Sequence, residues 1–145
     1  MIRLWLLLAF VFVTTSVHCQ DLTQHRWENR VVVIAVQDSA SQLAKQQLAE
    51  FQEDLAGMAE RRLIVYTITQ EAYRLATDPK ALWQPISPSL KTFASQSPFQ
   101  VSLIGLDGGL KLQQQALLSR EDLFALIDGM PMRRAELRQK NRDED

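Results

Sequence analysis

Residues Phe99–Gln113, FQVSLIGLDGGLKLQ, read as two strands joined by a tight turn. Phe99, Val101 and Leu103 alternate with Gln100 and Ser102, the pattern of a strand with one well-buried face. Asp107-Gly108 supplies two residues that tolerate positive φ, the strongest short-range hairpin signal. A two-residue turn at that point sets Leu106 opposite Gly109 and Leu103 opposite Leu112. A turn at Gly108-Gly109 instead sets Leu103 against Gln114, apolar against polar, so the first register is favoured.

Upstream, Val31–Val36 (VVVIAV) is an unbroken β-branched run, as expected of a strand covered on both faces. Gln37, Asp38 and Ser39 end it, and Asp38 or Ser39 can cap a following helix. From Ala40 to Ala56, Ala44, Leu48, Phe51 and Leu55 recur at helical spacing, with Gly57 as the expected stop. Leu63–Thr69 (LIVYTIT) is a second strand, parallel to the first because a helix intervenes. Gln70–Ile86 lacks clear periodicity and contains Pro79 and Pro85, so it reads as an irregular excursion with one helical turn near Ala72. Ser87-Pro88 opens a short helix toward Gln96. Ser119 caps a last helix striped by Leu123, Leu126, Ile127 and Met130, which Gly129 and Pro131 close.

The order is β-α-β-α-β-β-α, that of the thioredoxin motif. The expected fold is α/β and thioredoxin-like, with a central four-stranded mixed sheet and flanking helices. Pro98 stands just before the third strand, where thioredoxin-like proteins often place a cis-proline; a trans proline ending the preceding helix is the alternative. The site between first strand and first helix, where thioredoxins carry their redox pair, reads Gln37-Asp38-Ser39-Ala40 and has no sulfur.

The chain is 145 residues long and 46% apolar. Residues 1–19 read as a signal peptide: Arg3, then the uncharged run Leu4–Val13, too short to span a membrane. A short N-terminal anchor is the competing reading of that run. Residues 20–30 form a polar segment, 31–131 the thioredoxin-like domain, and 132–145 a charged tail able to form a helix. Cleavage after Cys19, or after Ser16, predicts an exported protein, periplasmic or secreted. On the signal-peptide reading, lipidation of Cys19 is the one route to a membrane, but Ser16 and His18 fit a lipoprotein signal poorly.

Cys19 is the only cysteine, so cleavage behind it removes every thiol and any disulfide. Loss of Arg3 from the 16 basic residues leaves 15 against 17 acidic ones, a net charge of −2. That balance argues against nucleic acid as a partner. One histidine, His25, remains beyond the signal, so a Ser-His-Asp site or a zinc site has little to build on. No catalytic residue, metal or cofactor is assigned.

The chain resembles an uncharacterised bacterial family of small exported proteins, a domain of unknown function related to the DUDES domain of secreted animal proteins. Four stretches carry the resemblance: Arg26–Arg30, Glu60–Leu63, Leu103–Leu112 and Leu126–Arg133. Leu106 departs from the pattern, which leads one to expect a basic residue there. The resemblance implies export and a thioredoxin- or peroxiredoxin-like fold, and brings no activity.

Candidate binding residues are Asp38, at a helix N-terminus; Asp107 and Lys111, flanking the hairpin turn; and Arg133, Arg134 and Arg138, on neighbouring turns of the tail. The expected function is that of a binding module for an unknown protein or small anionic ligand. A cysteine-independent enzyme, or degenerate peroxiredoxin, using the loop around Asp38 is the second reading. Docking of the arginine-rich end on an acidic partner is the third.

Overall fold

The computed structural model describes residues 22–144. The signal-peptide reading and Cys19 lie outside the described residues. A 3-10 turn, Leu22–His25, leads into β1 (Arg30–Val36), α1 (Gln42–Gln52), α2 (Leu55–Glu60) and β2 (Leu63–Ile68). Two short strands follow, β3 (Ala72–Leu75) and β4 (Gln84–Pro85), then α3 (Pro88–Lys91), β5 (Phe99–Ile104) and β6 (Leu110–Gln114). The helices α4 (Arg120–Asp128) and α5 (Pro131–Glu144) close the order.

The sheet has six strands in the order β4-β3-β2-β1-β5-β6, not the four expected. Only β1 and β2 pair in parallel, Val31 against Ile64 and Ile34 against Thr67. The two unexpected strands come from the stretch read as irregular. β3 pairs with β2 and β4 with β3, so β4 is the edge strand, and Pro85 sits on it, where no ladder N–H is required. Such short, half-polar strands leave little trace in side-chain periodicity. The Ser97-Pro98 bond is trans, since no cis peptide occurs among the described residues.

Every residue of β1 is buried, as its apolar run demands. Val32, Ile34 and Val36 pack on one face with Phe51, Met58, Leu123 and Ile127 from α1, α2 and α4. Val31, Val33 and Ala35 pack on the other with Tyr66, Tyr73, Leu90 and the partly buried Leu22 and Phe93. Each such side chain contributes roughly 1.5–3 kcal/mol on burial.

The hairpin keeps Leu103 opposite Leu112 but turns one residue differently. Gly105 N–H donates to the Gly109 carbonyl, so the loop is Leu106-Asp107-Gly108, with Gly108 at φ 80°. The extra residue is absorbed by a bulge at Lys111, between the Leu103–Leu112 and Ile104–Leu110 pairs. Leu106 is thereby free to be buried in the turn.

The expected long helix is two. Asp54 takes a non-helical conformation (φ −140°) and its carboxylate caps the Gly57 N–H at 2.8 Å, restarting the chain as α2. Gly57 is therefore not the stop but a buried position inside α2, where a Cβ would stand 2.8 Å from the Phe124 ring. Arg62 takes the left-handed terminating position instead, at φ 52°. The cap of α1 is Ser41, whose hydroxyl accepts from Ala44 N–H, rather than Asp38 or Ser39. Ser87 and Ser119 cap α3 and α4 as the sequence implied.

Gln47 is fully buried and joins α1 to the segment before α4. Its amide donates to the Leu118 carbonyl at 2.7 Å and accepts from the Leu118 N–H at 2.8 Å. Gln47→Ala leaves two buried backbone groups unpaired, each costing about 1–3 kcal/mol. Urea unfolding should show a loss of about 3 kcal/mol; a loss below about 1 kcal/mol would refute this role.

Candidate functional site

At the carboxyl ends of β1 and β2, the loops after Val36 and Ile68 enclose an open cleft of about 530 Å³. Ligands of open α/β sheets collect at this end of parallel strands. Asp38, Ser39, Thr69, Gln70, Glu71 and Trp83 line it. Most of the polar groups brace the loops. Asp38 Oδ1 accepts from Ala40 N–H at 2.9 Å, and Thr69 Oγ1 accepts from Ala72 N–H at 3.1 Å. The Gln70 amide donates to the Ser95 carbonyl at 2.9 Å, and the Gln37 amide donates to that of Gln96. Trp83 lies under the Arg74 guanidinium, 5.4 Å from its ring centre. Asp38 and Glu71 supply two carboxylates, and no lysine or arginine lines the cleft. Sequence reasoning found Asp38 but missed Thr69, at the end of the second strand, and Glu71 and Trp83, in the stretch that gave no periodicity; all lie 31 or more residues away.

His25 lies elsewhere. Its Nε2 is 2.8 Å from the Tyr66 hydroxyl and its Nδ1 is 3.3 Å from Asn29 Nδ2. Burial lowers its pKa, partly opposed by Glu28, and burial pushes the Tyr66 phenol up to about 12. The histidine is thus part of the packing beneath β2, hydrogen-bonded to Tyr66 and Asn29. No group of three histidine, cysteine, aspartate or glutamate side chains is placed to hold a metal among the described residues.

The opposite end of the sheet is built from charge. Arg30 opens β1 and is 1% exposed. It donates to the Arg61 carbonyl at 2.9 Å and to Glu136 Oε1 at 3.2 Å. Arg133 of α5, 4% exposed, donates to Asp128 at 3.1 Å, Glu60 at 2.9 Å and Glu136 at 3.4 Å. Arg61 grips Asp128 with two bonds, at 2.6 and 3.0 Å, and its guanidinium lies 3.9 Å over the Phe124 ring. Burial opposes ionisation of Asp128, but the Arg61 and Arg133 bonds outweigh it and hold the carboxyl below its usual range. Burial likewise opposes the charge on Arg133, and its three carboxylate partners raise its pKa regardless. Two left-handed residues, Trp27 (φ 69°) and Arg62, flank this end, and Trp27 N–H donates to the Leu106 carbonyl at 2.6 Å.

The sequence-derived candidates therefore divide. Asp38 stands at one end of the sheet, while Asp107, Lys111 and Arg133 stand at the other. Lys111 Nζ donates to Asp107 Oδ2 at 2.7 Å, and that bond, with Gly109 N–H, holds the Asp107 carboxyl below its usual value. Arg133 is enclosed by carboxylates of the chain itself and is not presented to a partner. Arg134 and Arg138 are exposed.

A family model for a domain of unknown function, DUF4174, matches residues 21–136. The chain belongs to the DUF4174 family. No curated protein matches it. The matched DUF4174 region ends at Glu136, the residue through which α5 reaches both Arg30 and Arg133. The four stretches that carry the sequence resemblance converge at this charged end of the DUF4174 domain.

Breaking a buried ion network by removing one partner costs about 3–5 kcal/mol. Arg133→Ala should lower unfolding free energy by about 3 kcal/mol, while Arg134→Ala and Arg138→Ala change it by less than about 0.5 kcal/mol. Equal effects at all three positions would refute the assignment. A second outcome concerns pH. Because the folded-state pKa of His25 is depressed, its contribution to stability is complete above the unfolded value near 6.5 and is lost as pH falls from there through the folded value. Urea midpoints at pH 7.5 and 5.5 should differ in the natural chain, and His25→Gln should remove that difference; an unchanged difference would count against it.

Proposed function

We propose that this DUF4174 protein is an exported domain of thioredoxin-like architecture without redox cysteines, acting as a binding module. The inner strand order β2-β1-β5-β6, with one parallel pair and two antiparallel pairs, supports the thioredoxin-like reading. The observation that carries the binding reading is the cleft beside Asp38. It lies at the carboxyl end of β1, where the thioredoxin-like reading expects a redox site, and it holds carboxylates and an indole, with much of its remaining polar lining engaged in bracing loops.

Two carboxylates beside an indole that already carries one cation, the Arg74 guanidinium 5.4 Å from its ring centre, suit a cationic ligand rather than an anion. The Ala40 amide at the start of this helix is already engaged by Asp38, and that of Ala44 by Ser41, which further disfavours an anion. The cysteine-independent enzyme reading needs a nucleophile held by a base, and this cleft presents no such pair.

Protein recovered from the cell envelope should have the intact mass of Gln20–Asp145. In that form, Trp27→Phe leaves Trp83 as the sole indole. Titration with tetramethylammonium should then shift Trp83 emission saturably. Asp38→Asn combined with Glu71→Gln, both at exposed side chains, should abolish the shift without changing the melting temperature. An absent shift, or one indifferent to the double substitution, would overturn the reading of this cleft.

A further inference from the structure

A second cavity, of about 390 Å³, lies where α1 and α2 meet the β2–β3 side of the sheet, and its size falls within the range of small-ligand sites. Phe51, Met58 and Val65 are its most deeply buried walls, each 2–4% exposed, and Leu48, Ala76 and Pro79 add to them. Ala76 is fixed beside Val65, because its N–H donates to the Val65 carbonyl at 2.7 Å. A methyl group at that place leaves open the space that a larger side chain would fill. The break between the helices opens the other side: α1 ends at Gln52, α2 starts at Leu55 beyond Asp54, and both residues line the cavity. Among the described residues no charged side chain lines it, and its polar members are Gln52 and Thr77, both exposed. Neither of these side chains makes a hydrogen bond among the described residues, so both are open to a ligand. Glu53, Asp78 and Lys80, the chain neighbours of Gln52, Thr77 and Pro79, are charged and exposed, so the apolar surface is confined to the cavity.

We infer that this cavity takes a small uncharged molecule with an alkyl chain and one hydrogen-bonding head group. The chain lies against Phe51, Met58, Val65 and Ala76, and the head group bonds to Gln52 or Thr77 at the mouth. The neutral lining sets the class, because an ion taken out of water without a partner costs more than an alkyl chain gains. The charged neighbours favour a small molecule over a second copy of the chain, since a stable protein interface needs about 800 Å² on each side. Apolar cavities stay dry, so an entering chain displaces little water and gains contacts all round, and the flexible thioether of Met58 adapts to it. This cavity shares no lining residue with the cleft beside Asp38, and the inference does not depend on what binds there.

Met58 gives a direct readout, because it lines this cavity while Met130 and Met132 stand at the charged end of the sheet. In protein labelled at the methionine methyl carbons, millimolar 1-hexanol should move the Met58 signal saturably and leave Met130 and Met132 in place. From butanol to decanol, affinity should rise about fourfold per methylene, the transfer value of a buried CH₂, and level off once the cavity is full. Hexanoate and hexylammonium should bind roughly tenfold more weakly than hexanol, or worse. Ala76→Leu fills the space and should weaken hexanol binding roughly tenfold without lowering the melting temperature. The alcohol and ion series uses the unaltered chain, so it decides the matter even where that variant does not fold. The inference is overturned if hexanol leaves Met58 unmoved, or if either ion binds as well as hexanol. It is equally overturned if affinity climbs through decanol without levelling, as in unspecific partition, or if folded Ala76→Leu binds hexanol unchanged.

Discussion

The structure depends on a strand that has no solvent face. All seven residues of β1 are buried, so both sides of the sheet must be covered and both edges of the strand must be paired. The parallel partner β2 is reached through α1 and α2, which cover one face. The antiparallel partner β5 follows α3, which covers the other with the 3-10 turn. The helices and the remaining strands are arranged around that requirement.

The ends of β1 meet different surroundings, and the differences make two sites of opposite character. At its carboxyl end the chain turns sharply into α1, and short polar loops braced by Gln37, Gln70 and Thr69 leave an open, acidic cleft. At its amino end Arg30 is drawn under α5 and the hairpin. There three arginines and three carboxylates form a nearly closed network, with Lys111 and Asp107 at its margin. A buried guanidinium is tolerable only with several acceptors, which explains why α5 is anchored at its first turn although most of its surface is charged. Beyond Arg133, only Glu136 and Leu137 are half-buried, and the rest of α5 is exposed.

Local signals were legible wherever one residue type is forced by its immediate neighbours. Ser87 and Ser119 as caps, the apolar runs of β1 and β2, and the Leu103–Leu112 pairing follow from rules that act within a few residues. The break at Asp54 was not legible, because a cap in mid-pattern looks like one more polar residue on a helix. The role of Gly57 was hidden for a related reason: a side chain there would meet the capping carboxylate of Asp54 and also Phe124, far along the chain. The short strands β3 and β4 are held by backbone bonds, which side-chain patterns report weakly.

The sequence by itself determined that the domain is α/β, that its central strands are parallel, and that no thiol lies beyond residue 19. These follow from composition and from periodicities that are properties of the local chain. Only the tertiary structure decided which charged residues face inward. Arg133, Arg134 and Arg138 are alike in sequence, yet Arg133 alone is buried, because Asp128, Glu60 and Glu136 arrive around it from different segments. Burial of a charge is a many-body property of the packed chain, set by partners distant in sequence, and no spacing rule along α5 encodes it.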